Sequence, residues 1–373
     1  MKILFFIGTR PEAIKIAPLY IKYKKEFPNY DIKLCLTGQH NEMLWQVMEV
    51  FDLKADYSLD VMTKAQDLFS LSSKLISSIR DVLIDFNPNY VFVHGDTTTS
   101  FIASLCSFYN KSKICHVEAG LRTHQLFSPF PEEANRSLTA RLADFHFAPS
   151  KLAKSNLVSE GINSNSILIT GNTVIDALLM VSNSLESKYG PSIQKKFNNI
   201  DFSKKIILIT SHRRENLEFG IKNVCYSIKS LAELYPEVQF VFPVHLNPRI
   251  SNQVNSILTS LKNVFLFEPF NYIEFIFFMN RSYLIITDSG GIQEEAPILG
   301  KPVIITRDST ERPEAVNEGI SFLLGADTNK IINKVTELLN DSDYYESIAR
   351  PNYVYGDGKA CDKIIDFFKK NIN

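Results

Sequence analysis

The sequence predicts an α/β protein of two Rossmann-like domains facing across a cleft, and three observations carry that expectation. Short β-rich runs alternate with longer helical patterns from end to end, the sign of parallel sheets built from βαβ units. The rhythm pauses once, over a polar stretch at 182–204, and then restarts. At 373 residues the chain also exceeds what one hydrophobic core serves.

Taken in order, the strands expected in the first half are 2–7, 31–36, 90–94, 113–117, 145–148 and 167–169. Helices fill the gaps. Over 67–86 the apolar residues fall at 68, 71, 75, 76, 79, 82, 83 and 86, the three-and-four spacing of one buried face. The polar stretch at 182–204, with its Tyr-Gly-Pro turn, is the best linker candidate. Beyond it, strands are expected at 206–210, 239–243, 264–267, 283–287, 302–306 and 321–324, with a closing helix near 359–370. The expected domains are 1–170, joined by the C-terminal helix at 357–373, and 171–356. No fixed-period repeat and no low-complexity tract interrupts them.

Forty basic against forty-one acidic residues leave a net charge of -1, so no global field attracts nucleic acid or an anionic membrane, and any bound anion must be held locally. No apolar run reaches the ~18 to 20 residues of a membrane span, because Glu268, Glu274 and Arg281 break the longest one. The apolar start, Met1 to Ile7, is short and is followed at once by Arg10, Glu12 and Lys15, so it reads as a strand rather than a signal peptide. Five scattered cysteines without a CxxC pair read as core residues of a protein in a reducing compartment, the cytoplasm. No His, Cys, Asp and Glu set has metal-ligand spacing, and neither a Walker lysine loop nor a GxGxxG fingerprint is present, so no metal and no cofactor is expected.

In doubly wound sheets, ligands sit beyond the carboxyl ends of strands, which directs attention to the residues just after each strand. The first strand runs into Gly8-Thr9-Arg10-Pro11-Glu12, where a helix start with Arg10 and Lys15 beside it fits either an anion site or a well-capped helix. Asp96 follows the strand at 90–94 and fits either a helix N-cap or acid/base work. Glu118 follows the next strand, and a strand-end glutamate in an apolar stretch is costly unless partnered or used. Glu132 and Glu133 precede Asn135 and Arg136, and fit either the first turn of a helix or a third acidic group. Three carboxylates at one sheet edge suggest acid/base work, since neighbouring acids push their pKa values apart.

In the second half, Ser211-His212-Arg213-Arg214 closes a strand with concentrated positive charge, read as an anion site or a surface cluster. Asp288-Ser289-Gly290-Gly291 leads from a strand into a helix, an arrangement of bare N–H groups suited to a diphosphate, with a plain β-turn as the alternative. Glu295, one turn on, can accept from two ribose hydroxyls. His40, His116 and His245 lie near strand ends and fit satisfied interior or rim imidazoles equally well.

These segments together resemble the non-hydrolysing UDP-N-acetylglucosamine 2-epimerases. The resemblance runs in order through GTRPEAIK from Gly8, TGQH from Thr37, HGDTTT from His94, HVEAGLRT from His116, PFPEEANR from Pro129, TGNTVIDAL from Thr170, SHRREN from Ser211, SGGIQEEAP from Ser289 and TERPEAV from Thr310. It implies the GT-B fold, with UDP held mainly by the second domain and the sugar reaching the first. It implies that Ser289, Gly290 and Gly291 cradle the diphosphate with Arg10 and His212, supported by Lys15 and Arg136. Glu295 then binds ribose, Phe275 stacks on uracil, and Asp96, Glu118, Glu132 and His212 do the chemistry. A homodimer acting on a UDP-sugar for surface polysaccharide synthesis is implied as well.

Two departures refine the reading. Family members activated by their own substrate have an Arg-Gln pair near the segment that here reads Lys64-Ala65-Gln66-Asp67. With Ala65 in place of the guanidinium, the expectation is against substrate activation through Gln39, His40 and Gln66, with His245 the fourth candidate of that site. Relatives that hydrolyse the intermediate carry TRADYG in the first loop, whereas this chain has Thr9-Arg10-Pro11-Glu12-Ala13, which favours retention of UDP. The rival readings are a hydrolysing epimerase, an epimerase of a 2,3-diacetamido UDP-sugar, a glycosyltransferase of the same fold and a non-catalytic UDP-sugar sensor.

Overall fold

The computed structural model describes residues 1–38, 42–61, 66–211 and 220–371. They form two compact units, Met1–Ala177 with Tyr355–Asn373, and Leu178–Val354. The first unit is built on seven parallel strands, β1 (Lys2–Ile7), β2 (Asp31–Leu36), β3 (Tyr57–Ser58), β4 (Tyr90–His94), β5 (Lys113–Val117), β6 (Phe145–Ala148) and β7 (Ile167–Ile169). Their order is β3-β2-β1-β4-β5-β6-β7. The second is built on six, β8 (Ile206–Thr210), β9 (Gln239–Pro243), β10 (Val264–Phe267), β11 (Leu284–Thr287), β12 (Val303–Ile305) and β13 (Ser321–Leu323), ordered β10-β9-β8-β11-β12-β13. Each order reverses once, between β1 and β4 in the first sheet and between β8 and β11 in the second. These switch points open a crevice where the outgoing loops diverge.

The strands are apolar because both faces are covered, as parallel sheets require. Phe5 and Phe92 stack at 4.5 Å between β1 and β4, and Tyr23 of the helix Arg10–Glu26 meets Phe92 edge-on at 5.1 Å. Phe368, from the C-terminal helix Ala360–Asn371, closes this cluster 5.3 Å from Tyr23. The chain's end therefore packs on its first helix. Asp176 caps the start of that last helix by accepting from the N–H groups of Ala360 and Cys361. In the second unit, Ile207, Ile209, Phe240, Phe242, Leu284 and Ile286 form the buried sheet core.

The expected strands are present, several trimmed by a residue or two at their ends. The pattern missed β3, which at two residues is too short to show any periodicity. The polar stretch expected as a linker is instead mostly helical, in Thr173–Lys188 and Gly190–Lys196. Leu185, Ile193, Phe197 and Ile200 are buried there, and Phe197 packs on Phe267, Phe270 and Phe278 at 5.0 to 5.2 Å. Four apolar residues set singly among polar ones hold one buried face while the average composition stays polar. Along the helix Leu68–Phe86, Leu75, Ile79, Val82, Leu83 and Phe86 are buried as the spacing predicts, but Leu68 and Ile76 stay exposed with Phe69. All five cysteines are buried free thiols. Among the described residues no helix is long and apolar enough to cross a membrane.

Candidate active site

In the first unit the motif residues gather at the switch point between β1 and β4. Gly8 ends β1 so close to the start of the helix Thr98–Tyr109 that a Cβ there would lie 2.2 Å from Thr99 Oγ1. Only glycine lets the two loops approach this far. Thr9 caps the helix Arg10–Glu26, and Pro11 occupies its first turn. Thr97, not Asp96, caps the helix that follows β4, accepting from the Ser100 N–H. Asp96 is thereby released from the structural role that it also fitted, and its carboxylate instead takes an ion pair from Arg136.

Glu118 sits just past β5 with φ at 63°, in the left-handed region that non-glycine residues adopt at a cost of about 1 kcal/mol. Its Oε2 pairs with Lys15 Nζ and accepts from Asn172 Nδ2 at 2.6 Å. His94 Nε2 lies 3.8 Å from the same oxygen, but burial holds that imidazole down to about 4, so it is neutral at ordinary pH. Lys15 and Glu118 are both nearly buried, at 10 and 7% of their side-chain surface. A buried pair of this kind is seldom a stability device, because desolvation cancels most of the attraction.

The acidic pair that opens the helix Glu132–Leu142 separates into two roles. Glu133 is buried, accepts from the backbone N–H groups of Thr123 and His124, and pairs with Arg136 at 3.1 Å. Glu132 has a buried Oε2 with no hydrogen-bond partner among the described residues. Arg136, one turn later on the same helix, pairs with Asp96, and Asn135 fixes the Asp96 carbonyl at 3.0 Å. Two ion pairs thus stand at neighbouring loop ends, Glu118 with Lys15 and Asp96 with Arg136, and Glu132 opens the helix that carries Arg136. Arg10, half-exposed, lies at the same edge. His116 is a structural group: its Nε2 donates to the Gly95 carbonyl at 2.8 Å, and burial with nearby His146 holds it down to about 3.

In the second unit the corresponding switch point lies between β8 and β11. Thr210 and Thr287 share a hydrogen bond of 2.7 Å across it, and Ser211 donates to the wholly buried Asp288 at 3.0 Å. Ser289 caps the helix Gly290–Ile298 without any side-chain bond to the first-turn N–H groups. Among the described residues, the Glu295 carboxyl lies nearest the Cβ direction of Gly291, at 3.8 Å. Glu295 therefore stands beside the helix start. Phe275 lies half-buried on the helix Tyr272–Arg281. Gln39, His40 and His212 lie outside the described residues; Gln66 is half-buried and His245 is exposed.

The residue patterns did not single out four groups at this site. Asn172 sits in a matched segment, but nothing in its spacing ties it to Glu118; Glu12 stands in the first loop without a role of its own, and spacing does not separate Glu133 from Glu132. Arg312 is the fourth: it pairs with Glu294 and Glu311 and lies so near Gly290 that a Cβ would be 2.8 Å from its Nη1. Its only signal is the TERPEAV segment. Among the described residues no group of three or more His, Cys, Asp or Glu could hold a metal ion.

Two doubly wound parallel sheets, each with charged or bare-backbone loops at its switch point, define an α/β protein of the GT-B nucleotide-sugar class. The chain belongs to the UDP-N-acetylglucosamine 2-epimerase family, whose model matches residues 22–369. It is 49% identical to the UDP-N-acetylglucosamine 2-epimerase of Neisseria meningitidis, with all of both chains covered. It is 46% identical to the Escherichia coli protein of the same name, covering all of this chain and 99% of that one. The crystal structure of the Neisseria meningitidis enzyme bound to UDP-GlcNAc superposes with a TM-score of 0.94 at 48% identity, over 100% of each chain.

Proposed function

We propose that this protein interconverts UDP-N-acetylglucosamine and UDP-N-acetylmannosamine without releasing free sugar. The observation that carries the reading is the strand-end cluster itself: Asp96 freed from capping, Glu118 held in a left-handed conformation against Lys15 and Asn172, and Glu132 with a buried oxygen that has no hydrogen-bond partner among the described residues. Structural ion pairs do not need backbone strain, whereas groups kept in place for chemistry often carry it. The full-length likeness to an enzyme crystallised with UDP-GlcNAc supports the substrate class.

The C2 hydrogen of the sugar is not α to a carbonyl, so direct deprotonation is out of reach. When UDP leaves C1, the ring oxygen's electrons give the ring oxocarbenium character and acidify C2–H. A carboxylate takes that proton, and the C1–C2 double bond of 2-acetamidoglucal forms. UDP then adds back to C1 as an acid delivers a proton to the other face of C2. Two faces need two proton-handling groups, which Asp96, Glu118 and Glu132 supply. Arg10 and His212, with the N–H groups of Ser289, Gly290 and Gly291, stabilise the departing diphosphate, the kind of preorganised electrostatics that is often the largest catalytic contribution. Glu295 holds the ribose and Phe275 the uracil.

NMR of UDP-N-acetylglucosamine incubated with the protein in D2O tests this directly. A mixture with UDP-N-acetylmannosamine, deuterated at C2, is expected, and Asp96→Asn, Glu118→Gln and Glu132→Gln each lose it. Free N-acetylmannosamine with UDP, or near-normal turnover in all three variants, refutes the assignment. We further propose a homodimer that works in the cytoplasm, where free buried cysteines persist, and whose product feeds surface polysaccharide synthesis.

A further inference from the structure

Glu12 has no part in the chemistry proposed above, yet it is a carboxyl group exposed by only 2%. In a capping box, the third residue of a helix reaches back to the N-cap N–H. Here Oε2 reaches one residue further and accepts from the Gly8 N–H at 2.9 Å. Oε1 turns across the switch point, 2.7 Å from Thr97 Oγ1 and 2.9 Å from Ser100 Oγ. One side chain thus ties the loop after β1 to the loop after β4.

Hydrogen counting bears on its charge. The His94 carbonyl can only accept, so the short contact from Ser100 Oγ uses that residue's one hydroxyl hydrogen. Thr97 supplies its own hydrogen to Oε1. The 2.9 Å contact between Ser100 Oγ and Oε1 then has no hydrogen left to it unless the carboxyl group carries one. Two bare oxygens at that separation, one of them charged, would repel. Burial acts the same way, pushing the Glu12 carboxyl above its usual range against the opposing pull of Thr97, Thr9, Ser100 and Gly8.

We infer that Glu12 is a positioning residue that works as a neutral carboxylic acid, clasping the Arg10 loop to the Asp96 loop across the switch point. This rests on the epimerase reading only for what Arg10 and Asp96 then do. A neutral clasp adds no negative charge to an edge that must receive a diphosphate, and its reach fixes two groups from opposite sides of the crevice.

Glu12→Gln keeps the shape: its amide nitrogen donates to Ser100 Oγ and Thr97 Oγ1, and its oxygen accepts from Gly8. Glu12→Asp keeps the acid but is one methylene too short. Glu12→Gln is expected to retain kcat and KM, while Glu12→Asp and Glu12→Ala lose about tenfold or more in kcat, since small misplacements of reacting groups are that costly. An infrared difference spectrum between the parent and Glu12→Gln at neutral pH should show a protonated carboxyl C=O band in the parent alone. A carboxylate band there overturns the neutral state. Parent-like kcat in Glu12→Asp and Glu12→Ala overturns the positioning role. A protonated band in a protein without epimerase activity leaves the neutral clasp standing and refutes the epimerase reading alone.

Discussion

Adjacent glutamates at 132 and 133 look alike in the sequence and separate in the fold. Glu133 serves two backbone donors and Arg136, so Glu133→Gln should cost about 3 kcal/mol, as removing one partner of a buried ion pair does. Glu132→Gln should leave urea stability unchanged or raised, because no bond to a described residue is lost, and should abolish turnover. Equal stability losses in the two variants would contradict this division. His116 makes a second prediction. Its pKa is near 6.5 in the unfolded chain and about 3 in the folded one, so the unfolded state binds the extra proton first as pH falls. The stability it contributes is complete above about 6.5 and drains away as pH drops toward 3. His116→Gln keeps a donor for the Gly95 carbonyl, so its urea midpoint between pH 7 and 5 should fall less steeply than the parent's. Which of several acids or imidazoles is spent on structure depends on partners 9 to 54 residues away, as Glu133 with His124 and Glu118 with Asn172 show. Spacing carries no trace of that.

Among elements, the alternation of β runs and helical patterns was enough to place all strands but the two-residue β3. It also placed the Ser-Gly-Gly turn at a helix start, because a strand-to-helix junction with two glycines is a local feature. It failed across 182–204, where Phe197 is buried by packing on Phe267, Phe270 and Phe278, residues distant in the sequence. The closing helix shows the same dependence at the chain's other end. Phe368, 1% exposed, fills the space between Tyr23, Tyr90 and Phe92. Phe368→Ala should destabilise the first unit by about 3 to 5 kcal/mol, read by chemical denaturation with hydrogen exchange in β1 and β4. Exchange lost mainly in the second unit would contradict the placement of this helix.

At the scale of the whole molecule, an apolar groove lies open on the first unit. Phe69 is 88% exposed and, with Leu68, Ile76 and Phe130, lines a groove of about 590 Å³ on the first unit. Isolated exposed apolar residues need no explanation, but a shared groove of aromatic side chains fits the proposed homodimer. Light scattering should give twice the chain mass, and Phe69→Ser should shift it toward the monomer; a monomeric parent refutes the proposal. The sequence by itself determined the α/β class, the strand ends that hold the motifs and the family, because these depend on periodicity and on short contiguous segments. Only the tertiary structure decided that the motif loops coincide with the two switch points, that Thr97 rather than Asp96 caps its helix, and that Glu118 meets Lys15 and Asn172. Strand order and long-range pairing bring those groups together, and neither is written in the neighbourhood of any one residue.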